Sequence, residues 1–263
     1  MKQFFLLVKR EWMINRRDLV IYVSVIALLH VGIEIFESVL ARSTGSVFNP
    51  ESYGKFFPFF LFFGGVFLIA DYIGSDLYKK ERQHTYLMLP ATNLAKYLSK
   101  SLLLTIVYPI ALTIFFILLS AVIEPILYLA FGNPIHLFNP FQINGFTLIL
   151  IKYWALSSIF VFTATFFRKA SIVKTFLALT VISLLSTGFL LLFVRLFITL
   201  RFGGGMPFFD TIARIDRLDY ERIITVAENW QRVTSIVGYL IVPLALQVIG
   251  YWRLCEVEAT DAL

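Results

Sequence analysis

Apolar runs at residues 19–40, 56–73, 101–123, 145–167, 171–200 and 233–251 dominate this chain. Each is long enough to cross a bilayer, whose hydrocarbon core of about 30 Å needs about 20 helical residues at about 1.5 Å per residue. A chain built of such runs satisfies its backbone in lipid only as helices, because no water is present there to take up an exposed N–H or C=O. The expected fold is therefore all-α: one integral membrane domain with six transmembrane helices. Composition agrees with this, since 59% of the residues are hydrophobic, only 15% are charged, and 28 of the 263 are phenylalanine. A soluble domain of this size could not bury so much apolar surface.

The polar segments between the runs set the expected topology. Over residues 1–17, Phe4, Phe5, Val8 and Trp12 fall near one helical face, and Lys2, Lys9 and Arg16 recur every seven residues on another. That pattern predicts an interfacial helix with its basic side at the headgroups, the other reading being a plain basic tail. Residues 75–100 form a polar stretch carrying Lys79, Lys80, Arg82, Lys96 and Lys100. Residues 124–144 read as a loop with Glu124-Pro125 and Asn133-Pro134, part of it apolar enough to dip into the interface. Residues 201–231 are polar again. Within them Ile212, Ile215, Leu218, Ile223 and Val226 alternate with charges, as two short amphipathic helices would. After residue 251 only a short tail is expected.

Six spans place both termini on one side. On that side fall 14 of the Lys and Arg residues, against seven on the other. The excess marks it as cytoplasmic, so the protein is expected to cross a cell membrane several times with both termini inside. Topology therefore accounts for the net charge of +6 better than nucleic-acid binding does. Cys255 is alone, which excludes a disulfide framework and a thiolate metal cluster within these residues. The charged opening lacks a small-residue cleavage site, so no cleavable leader is expected.

The stretch SDLYKKERQHTYLMLPATNLAKYLSK resembles the loop between the second and third spans in permease subunits of the ABC-2 type transporter family. There an acidic–basic run leads to a Leu-Pro turn and a helix that enters span three. The opening KREWMINRRDL is similar to the basic, tryptophan-bearing approach to the first span of such permeases. The six-span layout, with its largest outer segment between spans five and six, also resembles theirs. The resemblance implies a half-transporter: two permease chains, like or unlike, form the pathway, and separate ATPase subunits beneath them bind ATP and Mg. Glu81, Arg82, Tyr86, Leu87, Met88, Leu89 and Pro90 would then form the contact with the ATPase. Within these residues there is no G-x-x-x-x-G-K-[ST] phosphate loop, so this chain is expected to bind no nucleotide of its own. Pro90 should break the helix, and Thr92 or Asn93 should cap the next one.

Charged groups inside spans need partners or water. His30, Glu34 and Glu37 share a helix face at i, i+4 and i+7. These two carboxylates, with Lys152 and Arg195, are expected near the outer ends of their spans. Two readings fit: Glu34 or Glu37 pairs with Lys152 or Arg195 to close an outer gate, or each charge snorkels separately. A metal held by His30, Glu34 and Glu37 is disfavoured, because carboxylates in a wet vestibule need none. Thr180, Ser183 and Thr187 stripe the fifth span for helix packing or for the pathway. Phe60 and Phe63, with their neighbours, line a greasy slit or face lipid, and Gly64-Gly65 would admit a second permease chain. An intramembrane enzyme finds no H-E-x-x-H or G-x-S-x-G in support. A transporter driven by an ion gradient is the remaining alternative.

Overall fold

The structure, a computed structural model, describes residues 2–44, 52–78, 91–167, 170–202 and 234–261. All regular structure among them is helical. Helix α1 is Lys2–Thr44 and α2 is Ser52–Tyr78. Helix α3, Asn93–Phe131, is continuous but contains a π-helical turn at Leu103–Val107. Helices α4 and α5 are Phe146–Phe166 and Ser171–Phe202, and α6, Val242–Asp261, is entered through a second π-helical turn at Val237–Ile241. Six helices are long and apolar enough to cross a membrane, the pattern of a multi-pass membrane protein.

The expected boundaries change in three places. The separate interfacial helix over 1–17 does not exist as such: α1 runs through to Thr44 as one helix of 43 residues, about 65 Å long. Nothing between Arg10 and Val20 breaks a helix, so the amphipathic approach and the first span fuse. Helix α3 begins at Asn93 with the expected cap, the Thr92 hydroxyl accepting the Ala95 N–H at 3.3 Å. It also continues through Glu124-Pro125, read from sequence as loop, since a helix among helices tolerates an internal proline. Gly132 ends it with φ 76°, donating its N–H to the Tyr128 carbonyl at 2.9 Å. Finally, the expected tail after residue 251 is helical to Asp261, with Leu254 fully buried.

Helix α4 is central, packing most extensively on α6 and α2. Its buried small residues, Ala155, Ser157, Ser158 and Ala164, let those helices approach closely. Helix α1 packs on α3 and, less, on α2. Helix α5 lies at the edge, chiefly against α4 and α2. Its Thr180, Ser183 and Thr187 are exposed, so that stripe packs against no helix among the described residues. One apolar cluster at the end bearing the α1 N-terminus, the basic end, contains Ile69, Tyr97, Phe160, Val161 and Leu254. A second, toward the far end, contains Tyr53, Phe57, Leu61, Phe116 and Phe138.

Gly64 and Gly65 join the two clusters, and not by admitting a second chain. Tyr108 lies over Gly64 and Tyr153 over Gly65, each in the space a Cβ would occupy. Both hydroxyls reach past the glycines to backbone carbonyls, Tyr108 to Phe60 and Tyr153 to Leu104, each at 2.7 Å. Because Tyr153 is fully buried and anchored, it cannot yield to a methyl group. Gly65→Ala is expected to lower stability by about 1–3 kcal/mol despite the better helix propensity of alanine. A rise in the apparent melting temperature of the detergent-solubilised variant would contradict this packing.

Candidate functional site

The residues expected to touch an ATPase, Glu81, Arg82, Tyr86, Leu87, Met88, Leu89 and Pro90, lie outside the described residues. So do residues 203–233, which hold most of the expected outer segment. The structure does describe the helix that follows the polar stretch, and its root is fixed from several sides. Lys96 and Lys100, expected in a basic loop, are 3% and 4% exposed. Lys100 Nζ donates to the Tyr72 carbonyl of α2 at 3.1 Å. The hydroxyls of Tyr97 and Ser101 both donate to Gln247 Oε1 of α6 at 2.8 Å, and Gln247 Nε2 donates to Ser158 Oγ of α4 at 3.2 Å. From α1, buried Glu11 accepts Arg10 at 3.0 Å, and its carbonyl accepts the Tyr72 hydroxyl at 3.4 Å. A hydrogen-bonded network of this kind holds one geometry, because any member that slips leaves a buried partner unsatisfied.

Toward the far end, a second polar cluster sits among aromatic rings. His30 and Glu34 of α1 are fully buried, with Nε2 and Oε1 3.3 Å apart. The imidazole is enclosed by Tyr53, Phe56 and Phe116, at ring-centroid distances of 4.8, 5.8 and 5.2 Å. Its Nδ1 has no hydrogen-bond partner among the described residues. The Tyr53 hydroxyl donates to Glu124 Oε1 of α3 at 3.0 Å and stands beside the Glu34 carboxylate as well. Two carboxylates therefore share one tyrosine.

Glu124 also shapes the chain after Gly132. That segment turns back along α3: the His136 N–H donates to Glu124 Oε2 at 3.1 Å, and the Phe138 N–H donates to Ser120 Oγ at 3.1 Å. Asn133 Nδ2 reaches Ser38 Oγ of α1 at 2.8 Å, and Ser38 donates to the Glu34 carbonyl at 2.7 Å. The return along α3 is long: from Phe131 back to Ser120 is about 16 Å of helix. Outside it opens a cavity of about 520 Å³ lined by Tyr53, Lys55, His136, Asn139, Gln142 and Asn144. Tyr53 thus forms part of the wall between this vestibule and the buried carboxylates.

The four charges of the expected outer gate take different surroundings. Glu34 faces His30 and Tyr53, Glu37 is half-buried, and Lys152 and Arg195 are exposed. Neither Glu34 nor Glu37 pairs with Lys152, because α1 packs on α3 and α2 and has no substantial contact with α4. Phe60 is buried against Phe116, their centroids 6.0 Å apart, and forms core; Phe63 is 51% exposed and stacks on Phe59 at 4.6 Å. Sequence reading overlooked Tyr53, Glu124 and Gln247. For Glu124 a signal existed: the apolar run continues past Pro125 to Phe131, and Phe116, Ser120, Glu124 and Leu127 follow helical spacing. Among the described residues no three His, Cys, Asp or Glu side chains converge as a metal site.

Compared with known protein families, with characterised proteins and with solved structures, the chain matches none.

The Tyr53–Glu124 bond makes a direct test. Tyr53→Phe should lower stability by about 1–3 kcal/mol, and Glu124→Ala by more, since it strands both the hydroxyl and the His136 N–H. The two combined should cost less than their sum, read as apparent melting temperatures of the four proteins in detergent. Strict additivity would mean that the two groups do not interact.

Proposed function

We propose that the chain is the membrane-spanning permease subunit of an ATP-driven exporter, working as a pair of permease chains coupled to separate ATPase subunits. One observation carries this reading: α3 is a continuous element that starts within the basic polar stretch, at Asn93, and reaches the far end of the bundle. Its root is held by Lys100, Tyr97 and Ser101 against α2 and α6. A displacement applied at residues 81–90 would therefore move a rod rather than fray a loop. The basic end faces the cytoplasm in this reading, where ATP and Mg are bound by the partner. The His30–Glu34–Tyr53–Glu124 cluster then stabilises the closed far end of the pathway.

A second reading has an observation of its own. Two buried carboxylates and a histidine behind a polar vestibule are the equipment of a transporter driven by an ion gradient. Gentle detergent extraction of the full chain, followed by transport assays in vesicles, separates the two. The exporter reading expects an ATP-hydrolysing subunit to remain bound, and Arg82→Glu or Pro90→Ala to uncouple hydrolysis from transport while the permease still folds. Transport that proceeds without nucleotide and follows an imposed ion gradient would overturn it.

A further inference from the structure

We propose that a groove at the basic end, between α1, α2 and α3, holds the acyl chain of an anionic phospholipid whose phosphate rests on Lys9 and Arg16. The groove has a volume of about 460 Å³, within the range of small-molecule sites. Its walls include Val8, Trp12 and Leu19 of α1, Leu68 of α2, and Leu104 and Ala111 of α3. Along α3 it extends over the π-helical turn at Leu103–Val107 and on to Ala111, about 12 Å. π turns are uncommon in helices and recur at functional sites.

The chemistry of the walls selects the occupant. Tyr72 and Tyr108 stand at the groove, but their hydroxyls are used on the Glu11 and Phe60 carbonyls at 3.4 and 2.7 Å. A polar cargo would lose hydration there and gain no hydrogen bond, whereas an alkyl chain fits. The rim is different. Lys9, Trp12 and Arg16 follow one another at i, i+3 and i+7, on one stripe of α1, and all three are exposed. Among the described residues neither Lys9 nor Arg16 has an ion pair or a hydrogen bond, whereas the adjacent Arg10 is held by Glu11 at 3.0 Å. The acidic residues of this stretch, Glu11 and Asp18, lie on the opposite flank of the helix by its 100° step. Two uncommitted cations beside an indole, on the α1 stripe that borders an apolar slot, suit a headgroup phosphate with its tail in the slot. A zwitterionic lipid offers the tail without the net charge, and free phosphate offers the charge without the tail.

Native mass spectrometry of the full chain in detergent, with added phosphatidylglycerol or phosphatidylcholine, tests this. Phosphatidylglycerol should be retained about tenfold more strongly. Lys9→Gln and Arg16→Gln should each weaken it roughly fivefold while leaving phosphatidylcholine unchanged. Ala111→Trp should fill the slot and lower retention of both lipids, and Val107→Phe, at a half-exposed position, should do the same if the tryptophan variant does not fold. Equal retention of the two lipids would overturn the proposal, as would retention indifferent to the slot-filling variants, or displacement by inorganic phosphate alone. No ATPase partner enters the measurement, so its failure would leave the transport reading standing.

Discussion

Backbone that leaves a helix and returns into a bundle must still find partners for its N–H groups, and here two side chains of α3 supply them. The segment after Gly132 returns into the bundle in irregular conformation, and its N–H groups at His136 and Phe138 find Glu124 and Ser120. Irregular backbone of this kind is viable where it is paired and packed on protein or lines a polar cavity; here Phe138 and Pro140 are buried and His136 lines the vestibule. Much of the far end follows from this arrangement. Phe138 reaches the core beside Phe57 and Phe116, with centroids 5.4 and 5.6 Å away. Asn133 reaches Ser38, which ties α1 to the same region. Glu124 thus combines two duties: it holds a fold element in place, and it presents a carboxylate to Tyr53 within reach of Glu34.

The two polar networks stand in contrast. At the root of α3, amides and hydroxyls meet in complementary pairs, with Gln247 accepting twice and donating once. Around His30 the inventory is less complete, because one tyrosine hydroxyl faces two carboxylates and Nδ1 lacks a partner among the described residues. A buried polar group left short of partners costs stability, and such places are where function is most often found. The root has the character of a fixed joint. The cluster at the far end has the character of a site that can exist in more than one arrangement.

What could be read from the residues alone divides along physical lines. Apolar runs long enough to cross a bilayer are a strong signal, and the six helices follow from them directly. Helix ends were harder. Pro125 reads as a stop in a soluble chain but not in a helix surrounded by helices, and the charges of Lys96 and Lys100 masked a buried face of α3. Long-range pairing was not legible at all. Gly64-Gly65 announces a close approach, but nothing in the sequence says that Tyr108 and Tyr153 of the same chain make it. The local pair of His30 and Glu34 followed from helical spacing, but the Tyr53 of α2 that stands beside Glu34 did not.

The π-helical turn at Leu103–Val107 lies between the two networks on α3. A π turn carries one residue more than the α turn it replaces, so everything beyond it is rotated by roughly 100° relative to an uninterrupted helix. Lys100 below and Glu124 above both meet α2, at Tyr72 and Tyr53, while Ser101 meets α6 and Ser120 the segment that returns after Gly132. In mechanical terms α3 is a crankshaft with a built-in angular offset, and removing a single residue from the turn would straighten the shaft and misalign one set of bearings.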